Sequence, residues 1–112
     1  RWLNRRMHDA DGQQDFTAML NLNIEFHEAI CRASRNSVVV RFMAQIHDWV
    51  RRFPETTLSY PSRASQAMEE HDELIDALAR HDPKDAERIA TSHMERALHV
   101  RVAMLQARRD VR

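Results

Sequence analysis

The sequence predicts an all-α fold, an antiparallel helical bundle of about five helices. Three observations carry that expectation. Apolar residues recur at i, i+3, i+4 and i+7 along most of the chain. Helix breakers are sparse, with 1 Gly and 3 Pro in 112 residues, and they fall between the periodic segments. The one strand-like run, Val38-Val39-Val40, has no second strand to pair with.

A short helical piece is expected over residues 1–9, opening on Arg1-Trp2-Leu3 and broken by Asp11-Gly12-Gln13-Gln14. The second helix, about 14–34, carries Phe16, Met19, Leu20, Asn23, Ile24, His27, Ile30 and Cys31 on one side. Ser34-Arg35-Asn36-Ser37 ends it, and Asn36 or Ser37 can cap the next helix with a side-chain oxygen. The third helix, about 38–53, turns Val39, Phe42, Met43, Ile46, Val50 and Phe53 inward. A loop from Pro54 to Pro61 follows, and Ser62 is the expected cap of the fourth helix, about 63–80. Its inward side is Ala64, Ala67, Met68, His71, Leu74, Ile75 and Leu78. In His81-Asp82-Pro83-Lys84-Asp85, Asp82 suits the N-cap and Pro83 the first turn, where a missing N–H is harmless. Asp85 adds negative charge at the positive end of the helix dipole. The fifth helix, about 83–109, faces inward with Ala86, Ile89, Ala90, His93, Ala97, Val100 and Met104.

The length allows one domain, residues 1–112, with a modest core. No apolar run approaches the roughly 20 residues of a membrane span, and no signal peptide is visible. Cys31 is the single cysteine, so no internal disulfide forms, and a cytoplasmic, reducing location is expected. Acidic and basic residues balance at 17 each, which argues against nucleic-acid binding by this chain alone. Lys84 is the only Lys, and the scattered arginines read as compositional bias.

His27, His71 and His93 each fall on the apolar stripe of a different helix. Burying an imidazole is costly unless its nitrogens find partners. One such residue reads as a satisfied core histidine, whereas three from three helices facing one interior read as a shared metal site. Asn23 is the i−4 neighbour of His27 on the same face. Neutral imidazole suits divalent transition metals, and three such ligands leave an open position that can take a small carboxylate. Cys31 alone cannot close a structural zinc site and reads as a small core residue. His8, His47, His81 and His99 read as surface or locally bonded groups, His47 flanking the stripe of its helix. Glu25, Glu28, Glu69, Glu70 and Glu73 read as solvated helix faces. Arg51 and Arg52 end the third helix, either as favourable charge on its dipole or as a guanidinium clamp on an effector carboxylate.

Two stretches resemble a known family. Asn23-Ile24-Glu25-Phe26-His27-Glu28-Ala29-Ile30, with Ala33-Ser34-Arg35-Asn36 after it, looks like the D-x-x-F-H-x-x-[IL]…A-S-x-N signature of the FCD domain. Glu70-His71-Asp72-Glu73-Leu74-Ile75-Asp76-Ala77-Leu78 is similar to that family's E-H-x-x-[IL]-x-x-A-[IL], and Asp82, Ala86 and His93 follow in register. The FCD domain is the effector-binding domain of FadR-subfamily GntR transcriptional regulators. The resemblance implies an all-helical fold and a metal held by one Asp and three His, here His27, His71 and His93. Asn23 stands where the family usually has Asp. Its neutral amide predicts weaker metal binding, or none, for a site that would otherwise hold Zn, with Ni or Mn as alternatives. The resemblance further implies a homodimer, a small organic-acid effector, and operator DNA bound only through a winged helix-turn-helix domain N-terminal to this chain. The first helix of the family's domain is expected to be shortened or missing here.

On the residues alone, two other readings stay open. One is a three-His metalloenzyme with a metal-activated water, against which no general base stands beside the histidines on the inward stripes. The other is a structural module whose histidines bond internally. The expectation is a regulator domain and not an enzyme.

Overall fold

The computed structural model describes residues 1–110, so the last two positions of the expected domain lie outside the described residues. Its described residues form five α-helices and no strand. These are α1 (Trp2–Gly12), α2 (Phe16–Ala33), α3 (Ser37–Val50), α4 (Arg63–Ala79) and α5 (Pro83–Asp110). A single 3₁₀ turn, Thr57–Ser59, lies in the loop before α4, where none was expected. The all-α class is the one expected, and Val38, Val39 and Val40 are helical.

Each boundary has a local cause. α1 runs past the expected stop, and the chain turns at Gln14, whose φ of 55° is left-handed. The Asp15 amide then donates to Ala10 O at 2.9 Å and the Gln14 amide to Asp11 O at 3.0 Å, a helix-terminating pair normally built around glycine. Asp15 caps α2, its carboxylate accepting from the Ala18 amide at 3.0 Å. Asn36, rather than Ser37, caps α3, accepting from the Val38 and Val39 amides at 3.1 and 3.3 Å. α3 stops at Val50, short of the expected residue 53. The Arg52 and Phe53 amides bond back three residues to Trp49 O and Val50 O, tightening the chain before Pro54, whose ring disfavours helical backbone at Phe53.

Ser62 occupies the N-cap position of α4 but makes no side-chain cap, because its φ of 66° turns the backbone left-handed there. The α4–α5 turn follows the expectation closely. His81 has φ 55°, the Asp82 amide reaches Ala77 O at 3.0 Å, and Asp82 Oδ1 accepts from the Asp85 amide at 3.1 Å.

The chain divides into two compact units, Trp2–Thr56 and a second that begins at Thr57 and takes in Arg1. In the first, α2 packs against both α1 and α3. Its buried apolar side chains include Met7, Met19, Leu22, Ile24 and Phe26. Within this unit α3 packs on α2 alone, and one neighbour cannot cover a broad stripe. Phe42, expected inward, is accordingly 60% exposed, while His47, expected at the surface, is buried. In the second unit α4 and α5 pack as an antiparallel hairpin joined by a short turn, with the 3₁₀ turn against both. Alanines at 64, 67, 77 and 86 are buried there with Met68, Leu74 and Ile89, and small side chains let the helices approach closely. Leu78, also expected inward, is exposed.

Candidate metal centre

The α4–α5 hairpin places Arg63, Glu70, His71 and His93 in its interior. Arg63 and Glu70 sit two turns apart on α4, and His71 follows directly. His93 comes from the middle of α5, with Arg96 one turn beyond. Exposure is 2% for Arg63, 5% for Glu70, 1% for His71 and 6% for His93.

Glu70 is the hub. Its two oxygens accept from Arg63 Nη1 and Nη2 at 3.0 and 2.9 Å, a bidentate pair. Arg96 Nη1 adds a third bond at 2.9 Å, and His93 Nδ1 lies 2.7 Å from Glu70 Oε1. Burial pushes the Glu70 carboxyl up, but the bonds from Arg63, Arg96 and His93 outweigh it and hold the group below its ordinary value. An ionised carboxylate only accepts, so His93 Nδ1 carries the hydrogen of that bond. Burial, with Arg63 and Arg96 charges nearby, holds the His93 imidazole below its usual value even though Glu70 draws it upward. His93 is therefore neutral at neutral pH. The His71 ring centroid lies 4.8 Å from that of His93, the rings inclined at 58°.

In the other unit, Asn23 and His27 lie one turn apart on α2, as their spacing requires. Asn23 Oδ1 is buried with no hydrogen-bond partner. His27 is half-buried and meets the Phe26 ring edge-to-face at 5.4 Å. His47 Nδ1 lies 3.6 Å from Glu28 Oε1, beyond hydrogen-bond range. Arg51 and Arg52 stand exposed at the C-terminal end of α3, with Arg51 3.8 Å from Asp48.

The structure thus brings together His71 and His93 in one unit and Asn23 and His27 in the other. Glu70 is not on a solvated face, because Arg63 and Arg96 neutralise it where it is buried. Arg63, Glu70 and Arg96 had no place in the expected site. In the sequence they read as solvated charges, and the one signal was the spacing of seven residues that puts Arg63 and Glu70 on one face of α4. The donor chemistry fits a divalent transition metal: buried imidazoles are good ligands, and a buried carbonyl oxygen without a partner is an available one. No helix among the described residues is long and apolar enough to cross a membrane.

Fold and site define a class, an all-helical domain that buries imidazole donors within paired helices. The chain belongs to the FCD domain family, whose model matches residues 1–96. It is similar to the HTH-type transcriptional repressor NanR of Escherichia coli (strain K12), Shigella flexneri and Shigella boydii serotype 4 (strain Sb227). Identity to each is 25% over 85 residues, covering 69% of this chain. The chain spans 30% of the length of these curated relatives. No solved structure matches it.

Proposed function

We propose that this chain is the effector-sensing domain of a GntR-type transcriptional regulator of the FadR subfamily, acting through a metal-assisted carboxylate site and not as an enzyme. The observation that carries the reading is the buried His71–His93 pair in a chain of the FCD family. The similarity to transcriptional repressors supports the regulatory part. His71 and His93 supply two ligands, His27 the third, and Asn23 a neutral oxygen in place of a carboxylate. Three imidazoles are a donor set that could hold an ion. Zn is the first candidate, with Ni and Mn next.

When bound, the metal supplies an electrophilic position that accepts one carboxylate of a small organic acid. The residues of the chain do the rest. His71 and His93 tie α4 to α5, and His27 extends the set to α2. An effector that binds one helix arrangement better than another shifts the population between them. That shift would move a DNA-binding domain joined N-terminally, in a homodimer on operator DNA. Arg51 and Arg52 are the guanidinium candidates for a second effector carboxylate.

The test is thermal melting of chelator-stripped protein with and without Zn²⁺. Metal at about 100 times its dissociation constant should stabilise the fold by about 2.7 kcal/mol. His27→Ala or His71→Ala should abolish the shift, and organic acids should then bind by calorimetry only to the metal-loaded protein. A folded wild-type protein with no metal response would overturn the metal reading and leave a metal-free effector pocket to be sought.

A further inference from the structure

Glu70 is an expensive residue to place inside a helical hairpin, and it contacts no part of the expected ligand set except His93 Nδ1. Its carboxylate accepts two bonds from buried Arg63 and one from Arg96, and its remaining contact is the 2.7 Å bond to His93. Arg63 Nη2 also reaches the His93 backbone carbonyl at 3.4 Å, so one guanidinium holds both the carboxylate and the α5 backbone that carries the imidazole.

We infer that Glu70, locked by Arg63, is a positioning residue for the metal centre: it fixes the hydrogen of His93 on Nδ1 and so leaves Nε2 as the electron-pair donor. This rests on the metal reading above and adds how the site is made ready. A free imidazole divides its hydrogen between two nitrogens and rotates about two side-chain bonds. An acceptor-only carboxylate on Nδ1 removes the wrong tautomer and most of the wrong ring orientations. Arg63 is what keeps Glu70 acceptor-only, because two guanidinium bonds hold the carboxylate ionised and in one plane. Arg96 adds a third donor from the half-exposed rim of the hairpin. A carboxylate hydrogen-bonded to a ligand imidazole raises its basicity, and loss of such a partner typically costs about 10–100-fold in metal affinity.

The experiment has a readout that needs no metal. In chelator-stripped protein with ¹⁵N-labelled histidine, long-range ¹H–¹⁵N correlation reports which ring nitrogen of His93 is protonated. Wild-type protein should show Nδ1–H alone. Glu70→Gln, whose amide can donate as well as accept, should show a mixture at His93 and leave His71 unchanged. Zn²⁺ titration of the same variant should give affinity lower by about 10–100-fold. Should that variant not fold, Arg63→Met with Glu70→Leu removes the two charges in balance and is read the same way. An Nε2–H tautomer in the wild type would overturn the inference. So would wild-type metal affinity in a folded Glu70 variant, with the metal reading left standing. A wild-type protein that shows Nδ1–H but binds no Zn²⁺ would overturn the metal reading, and the positioning role with it.

Discussion

Arg63 and Glu70 face each other across two turns of α4 and are joined by two hydrogen bonds, at 3.0 and 2.9 Å, where both side chains are almost wholly buried. Arg63 opens the helix, where positive charge is disfavoured by the dipole. Glu70 offsets that cost and Arg63 offsets the burial of Glu70, so neither is stable at its position without the other.

Removing one partner should therefore cost far more than an exposed ion pair would. Arg63→Met should lower stability by about 3 kcal/mol, because it leaves Glu70 buried with only Arg96 and His93. Urea unfolding of chelator-stripped protein measures it. A loss under about 1 kcal/mol, the range of surface pairs, would mean that the pair is solvated in solution.

Acid should weaken the metal-free fold in two stages. Burial holds His93 below its ordinary 6.5, and the bonds to Glu70 hold that carboxyl below its ordinary 4.5. Both groups bind fewer protons folded than unfolded, so their stability is complete above 6.5 and declines as the pH falls. The first decline begins near 6.5, as His93 takes a proton in the unfolded chain. The second begins near 4.5, as Glu70 does. Each contributes a slope of at most about 1.4 kcal/mol per pH unit. Urea midpoints across this range measure both, and His93→Gln should remove the upper stage while keeping the lower. Stability that holds or rises on acidification would contradict the buried network.

The helices and the burial of His71 and His93 were legible in the sequence because each rests on a local rule. Apolar spacing turns His71 and His93 inward, and the Asp82-Pro83 dipeptide places the start of α5. The charged network was not legible for a physical reason. Periodicity assigns Arg and Glu to solvent, and Glu70 is stable inside only because Arg63 on its own helix, with Arg96 and His93 from α5, surrounds its carboxylate. Phe42 failed in the opposite direction: its position suits a core, but α3 has one helix beside it in its unit. Ser62 failed because a cap residue works only from the right backbone, and its φ of 66° is not that.

With a single glycine in the chain, α1, α2 and α4 end on Gln14, Arg35 and His81 in the left-handed region, at φ of 55°, 56° and 55°. A side chain there costs roughly 1–2 kcal/mol that glycine avoids, less glycine's own entropic penalty of roughly 0.5–1 kcal/mol. His81 is exposed, and its turn is completed by backbone bonds to Leu78 O and Ala77 O. His81→Gly should thus stabilise the protein by about 0.5–1 kcal/mol in urea unfolding. Destabilisation would show that the imidazole makes a contact worth more than the strain.

Asn23 offers the sharpest single change at the proposed centre. Its Oδ1 is buried without a hydrogen-bond partner, and the family resemblance puts a carboxylate at this position. Asn23→Asp adds a negative charge there with almost no change in shape. Without metal, that charge is buried and should cost about 1–3 kcal/mol in chelator-treated protein. With Zn²⁺, the carboxylate is the better ligand, and affinity should rise by about tenfold or more, some 1.4 kcal/mol per decade. The two effects have opposite signs, so calorimetric titration and urea unfolding of the same variant separate ligation from a general effect on the fold. Tighter binding with a weakened metal-free fold identifies Asn23 as the fourth ligand position. A weakened fold with unchanged affinity would place Asn23 outside the metal's reach and leave the three histidines as the whole donor set.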